Sequence, residues 1–144
     1  MGITAEVVID MHIDDVFEFV GDPLNDPRWC TNVLYVEQVE GSEPGPGAEY
    51  TVVRRPIPFR PPRRMRHVCI DWQPPNRIAW REDDGHDVIE VQYELESVWT
   101  STRFRQTDTA VLGAPRLLRP LAKAAIRREV RQRLDTLKRL LERG

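Results

Sequence analysis

The apolar residues of this chain fall into two periods. Around residues 88–95 they alternate: Ile89, Val91, Tyr93 and Leu95 take one side, while Glu90, Gln92, Glu94 and Glu96 take the other. That is the pattern of a strand with one dry and one wet face. Near the end of the chain the period lengthens. Leu117, Leu121, Ala125, Ile126, Val130, Leu134, Leu137 and Leu141 form one stripe at helical spacing, with Lys and Arg around the rest of the circumference. A helix of that length runs on the order of 40 Å, enough to cross a whole sheet. Pro120 either begins its regular part or kinks it.

The same reading places strands at residues 4–11, 33–40, 48–55, 64–72, 77–83, 88–95 and 99–108. Between the first two, His12-Ile13 opens a short helix with Ile13, Val16, Phe17 and Val20 at helical spacing and Asp14 or Asp15 at its positive end. Gly21 and Pro23 stop it. Residues 23–29, with two prolines, form a turn or a second short helix ending on Trp29. Glycine- and proline-rich turns separate the later strands, at residues 41–47, 74–76 and 83–86. Residues 56–62 hold four prolines and predict a loop or an irregular edge. The order is strand, two short helices, six strands, one long helix. An antiparallel meander with one wet face must cover its dry face, and the terminal helix is the only large cover. The fold class is α+β in two layers.

Length changes little in this picture: 144 residues suit one domain with a full core. No apolar run approaches the ~20 residues of a membrane span. The start has no basic, then apolar, leader, so a cytoplasmic protein is expected. Cys30 and Cys69 lack CxxC spacing and read as small buried thiols of a reducing compartment. The net charge of -2 is unevenly spread: residues 116–143 carry ten Lys/Arg against Glu129, Asp135 and Glu142. Those arginines have no interleaved aromatics, so a solvated helix face is expected rather than a nucleic-acid site. A surface for an acidic partner or an anionic membrane is the remaining reading.

Candidate chemistry is sparse. His12, His67 and His86 form no metal-binding spacing. His67, Cys69 and Asp71 alternate along one strand and could share a face, but no fourth ligand converges, so no metal is expected. No GxSxG, GxGxxG or P-loop motif occurs, and no organic cofactor is expected.

One set of landmarks is more specific. Ile9-Asp10, residues 16–20, Asp22-Pro23 and Pro27-Arg28-Trp29 resemble the start of the SRPBCC superfamily, the START-like helix-grip proteins. Pro46-Gly47-Ala48, residues 71–78, Leu95, Thr102-Arg103-Phe104 and residues 134–142 continue that resemblance in order across the chain. It is closest to the bacterial polyketide cyclase/dehydrase-type branch. The resemblance implies a helix-grip fold, with a curved seven-stranded antiparallel sheet gripping the long C-terminal helix, and a cavity between them.

Within that frame, Trp29, Tyr50, Trp72, Trp80, Tyr93 and Phe104 fall on the dry register or at the helix–strand junction, and suit the wall of an apolar pocket. Val52, Val91, Leu121 and Ala125 are expected to complete it, with Ala122, Ala124 and Ala125 thinning the helix above. Extending each dry register also brings Arg54, Glu82, Gln106 and Asp108 inward. Asp108 or Glu82 could then act as a base raised by the dry site, with Arg54 or Tyr93 stabilising an enolate. The leading expectation is a carrier or sensor of a small hydrophobic or polycyclic molecule. The alternative is a cofactor-free cyclase, dehydratase or isomerase on a polyketide-like substrate. A third class is an interaction protein acting through its basic helix. Homodimerisation is left open.

Overall fold

In a computed structural model, residues 2–55, 61–111 and 116–143 are described. Strand β1 (Gly2–Ile9) leads into helix α1 (Ile13–Val20), a 3-10 turn (Pro23–Asn25) and helix α2 (Asp26–Trp29). Six strands follow: β2 (Val33–Glu40), β3 (Glu49–Arg54), β4 (Arg63–Gln73), β5 (Arg77–Asp83), β6 (Val88–Val98) and β7 (Ser101–Val111). A 3-10 turn (Arg116–Leu118) then opens helix α3 (Arg119–Glu142). All pairings are antiparallel, and the order across the sheet is β1-β7-β6-β5-β4-β3-β2. This is the seven-stranded helix-grip architecture expected from the sequence. Pro120 sits in the first turn of α3, where its missing N–H costs nothing, and begins the helix rather than kinking it.

Helix α1 forms because Ile13, Val16, Phe17 and Val20 share one buried face, while His12 caps it by accepting from the Asp14 N–H through Nδ1 at 3.2 Å. Its end packs on Trp72. On the other side, Gly45 brings backbone to the same indole, 3.3 Å from where a Cβ would stand and at φ 118°, so only glycine fits there without strain.

Cross-strand rows define the inner face. Leu95, Phe104 and Val7 form one row, and Thr102 with Ile9 the next, toward the β6–β7 turn. Moving the other way, the rows become Ile78–Tyr93–Gln106–Ala5, then Cys69–Trp80–Val91–Asp108–Ile3, then Tyr50–His67–Glu82. One end of the sheet is therefore dry and the other polar. A register shift between Cys69 and Asp71 breaks the alternation of β4. His67 and Cys69 face inward, whereas Asp71 turns out to pair with Arg77 at 2.9 Å, so the three do not share a face.

Helix α3 divides in two. Val130, Leu134, Leu137 and Leu141 are buried against the sheet. Lys138 Nζ donates to the Val8 carbonyl at 2.7 Å, and Glu142 accepts from the Asp10 N–H at 3.0 Å. These contacts pin the C-terminal half over the dry end of the sheet. From residue 116 to 129 no side chain is buried, and Leu117 and Leu121 are 91% and 69% exposed. The expected burial of Leu121 is thus corrected: the apolar stripe continues past the point where the sheet can cover it. Residues 56–60 of the expected proline-rich loop lie outside the described residues. No helix among the described residues is long and apolar enough to cross a membrane.

Candidate functional site

The polar rows of the sheet, α2 and the middle of α3 enclose a group of side chains that a soluble core does not ordinarily contain. Tyr50, His67 and Glu82 are direct cross-strand neighbours on β3, β4 and β5. Glu82 Oε1 accepts from His67 Nδ1 at 2.8 Å and from Arg54 Nη2 at 2.9 Å, and Arg54 Nη1 reaches Asn32 Oδ1 at 3.3 Å. Burial alone would raise the Glu82 carboxyl, but the Arg54 guanidinium and then His67 outweigh it and hold it well below the usual range. The expectation that Glu82 is a base raised by a dry site is therefore corrected. It is an ionised anchor.

That anchor fixes His67. With Glu82 ionised, Nδ1 carries the proton of their hydrogen bond, and Nε2 is the ring nitrogen left over. It is buried and has no hydrogen-bond partner among the described residues.

Asp108 is buried on β7 and accepts from Gln106 Nε2 at 2.8 Å. Burial pushes its carboxyl up, against the opposing pull of Arg133 and Gln106. Asp26 opens α2 with 6% exposure. Burial raises it from 3.8 to about 7, while His67, Arg54 and Arg133 pull it down and Glu82 pushes it up. Tyr93 lies in the same interior, its hydroxyl raised well above its ordinary value by burial and then by Asp26 and Cys30. Arg133 enters from α3, 5% exposed and paired with Glu129 one turn back.

The four expected polar residues, Arg54, Glu82, Tyr93 and Asp108, all face this interior. Sequence reading missed three others as site residues. His67 stood in the dry register between Met65 and Cys69 but was weighed only as a metal ligand. Arg133 stands three residues from Val130 and four from Leu137, on the apolar stripe itself, which its charge disguised. Asp26 had no signal beyond its place before Pro27. Among the described residues no cluster of three or more ligating side chains could hold a metal.

The aromatics surround these groups. Trp29, Tyr50, Trp80 and Phe104 are essentially fully buried, and Trp72 is half-buried. They meet edge to face: Trp29 and Phe104 at 6.2 Å, Tyr50 and Trp80 at 6.5 Å, Phe17 and Trp72 at 5.0 Å between centroids. Val52 and Val91 are buried among them. Leu121 and Ala125 are exposed and do not join this wall, contrary to expectation, because the first half of α3 runs clear of the sheet. Two concavities formed by described residues lie elsewhere. One of about 640 Å³ lies between Thr4–Glu6 and the Arg131–Asp135 turn of α3, and one of about 320 Å³ is on the outer face near Arg77 and Arg103. Neither is the aromatic-lined cavity expected from the sequence.

A polar, aromatic-walled interior beneath a C-terminal helix defines a START-like helix-grip protein. Residues 2–142 match the family described as polyketide cyclase/dehydrase and lipid transport, and the chain belongs to that family. No curated protein matches the sequence. Among solved structures it is similar to a START superfamily protein from Mycobacterium smegmatis, at 12% identity and TM-score 0.81, covering 99% of this chain and 97% of that one. It is similar to TTHA0849 from Thermus thermophilus, at 20% identity and TM-score 0.80, covering 96% and 95%. It is also similar to the di-domain ARO/CYC protein BexL of the BE-7585A biosynthetic pathway, at 16% identity and TM-score 0.76, covering 99% of this chain and 46% of BexL. These likenesses carry the fold.

Proposed function

We propose that the protein binds a small molecule with an apolar, ring-bearing body and several oxygen acceptors, in the interior bounded by β3–β7, α2 and Arg133. One observation carries this reading. Seven buried side-chain atoms have no hydrogen-bond partner among the described residues: Trp29 Nε1, Tyr50 Oη, Arg54 Nε, His67 Nε2, Glu82 Oε2, Gln106 Oε1 and Arg133 Nε. Each such atom costs about 1–3 kcal/mol when left unmade. Seven of them rival the ~5–15 kcal/mol that holds a whole domain together. Ordered water when the site is free, and ligand when it is filled, would supply these partners. Three N–H groups donate, the Glu82 and Gln106 oxygens and His67 Nε2 accept, and the Tyr50 hydroxyl can do either, which favours a ligand bearing both carbonyl and hydroxyl oxygens. Native mass spectrometry of freshly purified protein tests the reading: a co-purified small molecule is expected. Arg54→Met combined with Glu82→Gln should weaken binding of a hydroxylated polycyclic ketone that quenches tryptophan emission. Equal binding by that double variant would count against this site.

A second reading, cofactor-free cyclase, dehydratase or isomerase chemistry on a polyketide-like substrate, is favoured by Asp26 and the unpartnered His67 Nε2 both being buried in this interior. Asp26, raised to about 7, can take up and return a proton near neutral pH. Deuterium exchange into the position next to the carbonyl of such a bound ketone, lost in His67→Gln while binding persists, is the expected sign of it. Binding without exchange would leave the carrier reading.

A further inference from the structure

We propose that the first half of α3, with the 3-10 turn before it, is a docking surface for an anionic phospholipid membrane. The inference is independent of what the interior binds. Leu117, Leu118 and Leu121 are 91%, 51% and 69% exposed, Leu121 following the adjacent pair by about one helical turn. Three large apolar side chains so close together in sequence and so exposed, on a segment that runs past the sheet's cover, form an apolar patch that calls for a partner.

The charge around them is one-sided. Residues 116–131 hold six Lys/Arg and one acid, Glu129, and that acid is already paired with the buried Arg133. Arg116, Arg119 and Lys123 flank the leucines. An apolar strip bordered by cations that make no ion pair among the described residues is the arrangement by which a helix lies in a lipid interface, its leucines among the acyl chains and its cations on the headgroup phosphates. An acidic protein would account for the cations but not for the three leucines between them. The back of the segment is open too: burial begins only at Val130, so the strip can approach a flat surface without displacing core contacts.

The test uses the full chain with vesicles of phosphatidylcholine alone and of phosphatidylcholine mixed with phosphatidylglycerol, read by co-sedimentation. Binding is expected to the mixed vesicles only, and to weaken as salt rises. Leu117→Ser with Leu121→Ser should reduce it by roughly tenfold or more at unchanged charge. Arg116→Gln, Arg119→Gln and Lys123→Gln together should abolish it. Both variants change exposed positions, so an unaltered melting temperature is expected and separates lost docking from lost fold. Absence of vesicle binding by the wild type would overturn the proposal. So would binding that ignores the leucine changes and is matched by soluble polyglutamate, which would mark an acidic protein partner. A dimer in sedimentation velocity that the leucine variant converts to monomer would also overturn it, by assigning the strip to a second copy.

Discussion

Asp26→Asn should make the protein more stable at neutral pH, by an amount that grows with pH. In the folded chain the Asp26 carboxyl stands at about 7, and in the unfolded chain near 3.8. Between those values the folded state holds a proton that the unfolded state has lost, so stability falls as pH rises through this window and levels off above it. At ~1.4 kcal/mol per pH unit the gap corresponds to a loss on the order of 4 kcal/mol. The cause is burial: with 6% exposure, the carboxylate gains less from His67, Arg54 and Arg133 than it loses in hydration, and Glu82 adds repulsion. Asparagine has nearly the same shape and no charge to desolvate. Urea unfolding of both proteins from about pH 4 to about pH 8 reads the difference, and subtraction cancels every other titrating group. The buried amide carries a cost of its own, ~1–3 kcal/mol, but that cost does not vary with pH. The variant's relative stability should therefore rise steadily across the window. A difference that stays flat would refute the reasoning. One that favours the wild type as pH rises would show Asp26 to be ion-paired instead.

The remaining expectations concern the anchor, the helix and one turn. Arg54→Met strands a buried carboxylate and should cost about 3–5 kcal/mol, whereas the double variant with Glu82→Gln should cost less than Arg54→Met alone, as urea unfolding would show. Glu82 is depressed below its unfolded 4.5, so it stabilises the fold above that pH, and the contribution is lost as pH falls toward the folded value. In Arg54→Met, where burial no longer meets its main opposing cation, the Glu82 carboxyl should rise and the loss of stability on the acid side should become shallower. Leu134→Ala should cost ~2–5 kcal/mol, and Leu121→Ala should stay within about half a kcal/mol in the same assay. Trp99, 98% exposed and at φ 58° in the β6–β7 turn, should give a gain of about 0.5–1 kcal/mol on Trp99→Gly, seen as a higher melting temperature.

The strands were legible because their alternation is set by the sheet alone: β2 and β5 have the bounds that pattern predicts. The inward turn of Arg54, Glu82 and Asp108 was legible for the same reason, since period two fixes the face whatever the residue. What failed was everything that needs a partner's position. Alternation on β4 would put Asp71 beside His67, and only the bulge at Cys69–Asp71, invisible in composition, turns it away. Glu82 read as a base because its register is dry, yet its ionisation is decided by two neighbours, one on β3 and one on β4.

Helix α3 shows the limit most sharply, and the reason for it is physical. Periodicity records which side of a helix is apolar, not which part of that side has something to bury against. The stripe from Leu117 to Leu141 is continuous in sequence, but its second half is buried against β1 and the dry rows of the sheet, while no residue of its first half is buried. A stripe kept apolar only for the core could have turned polar where the core ends. Leu117, Leu118 and Leu121 instead persist among cations, while Arg133, the charge that breaks the stripe, goes into the interior where Asp108 and Asp26 lie. The exchange of apolar and charged positions along one helix is what separates its two tasks. Val130 to Leu141 holds the fold, Arg133 serves the buried polar group, and the segment from 116 to 129 is left to face whatever the protein meets.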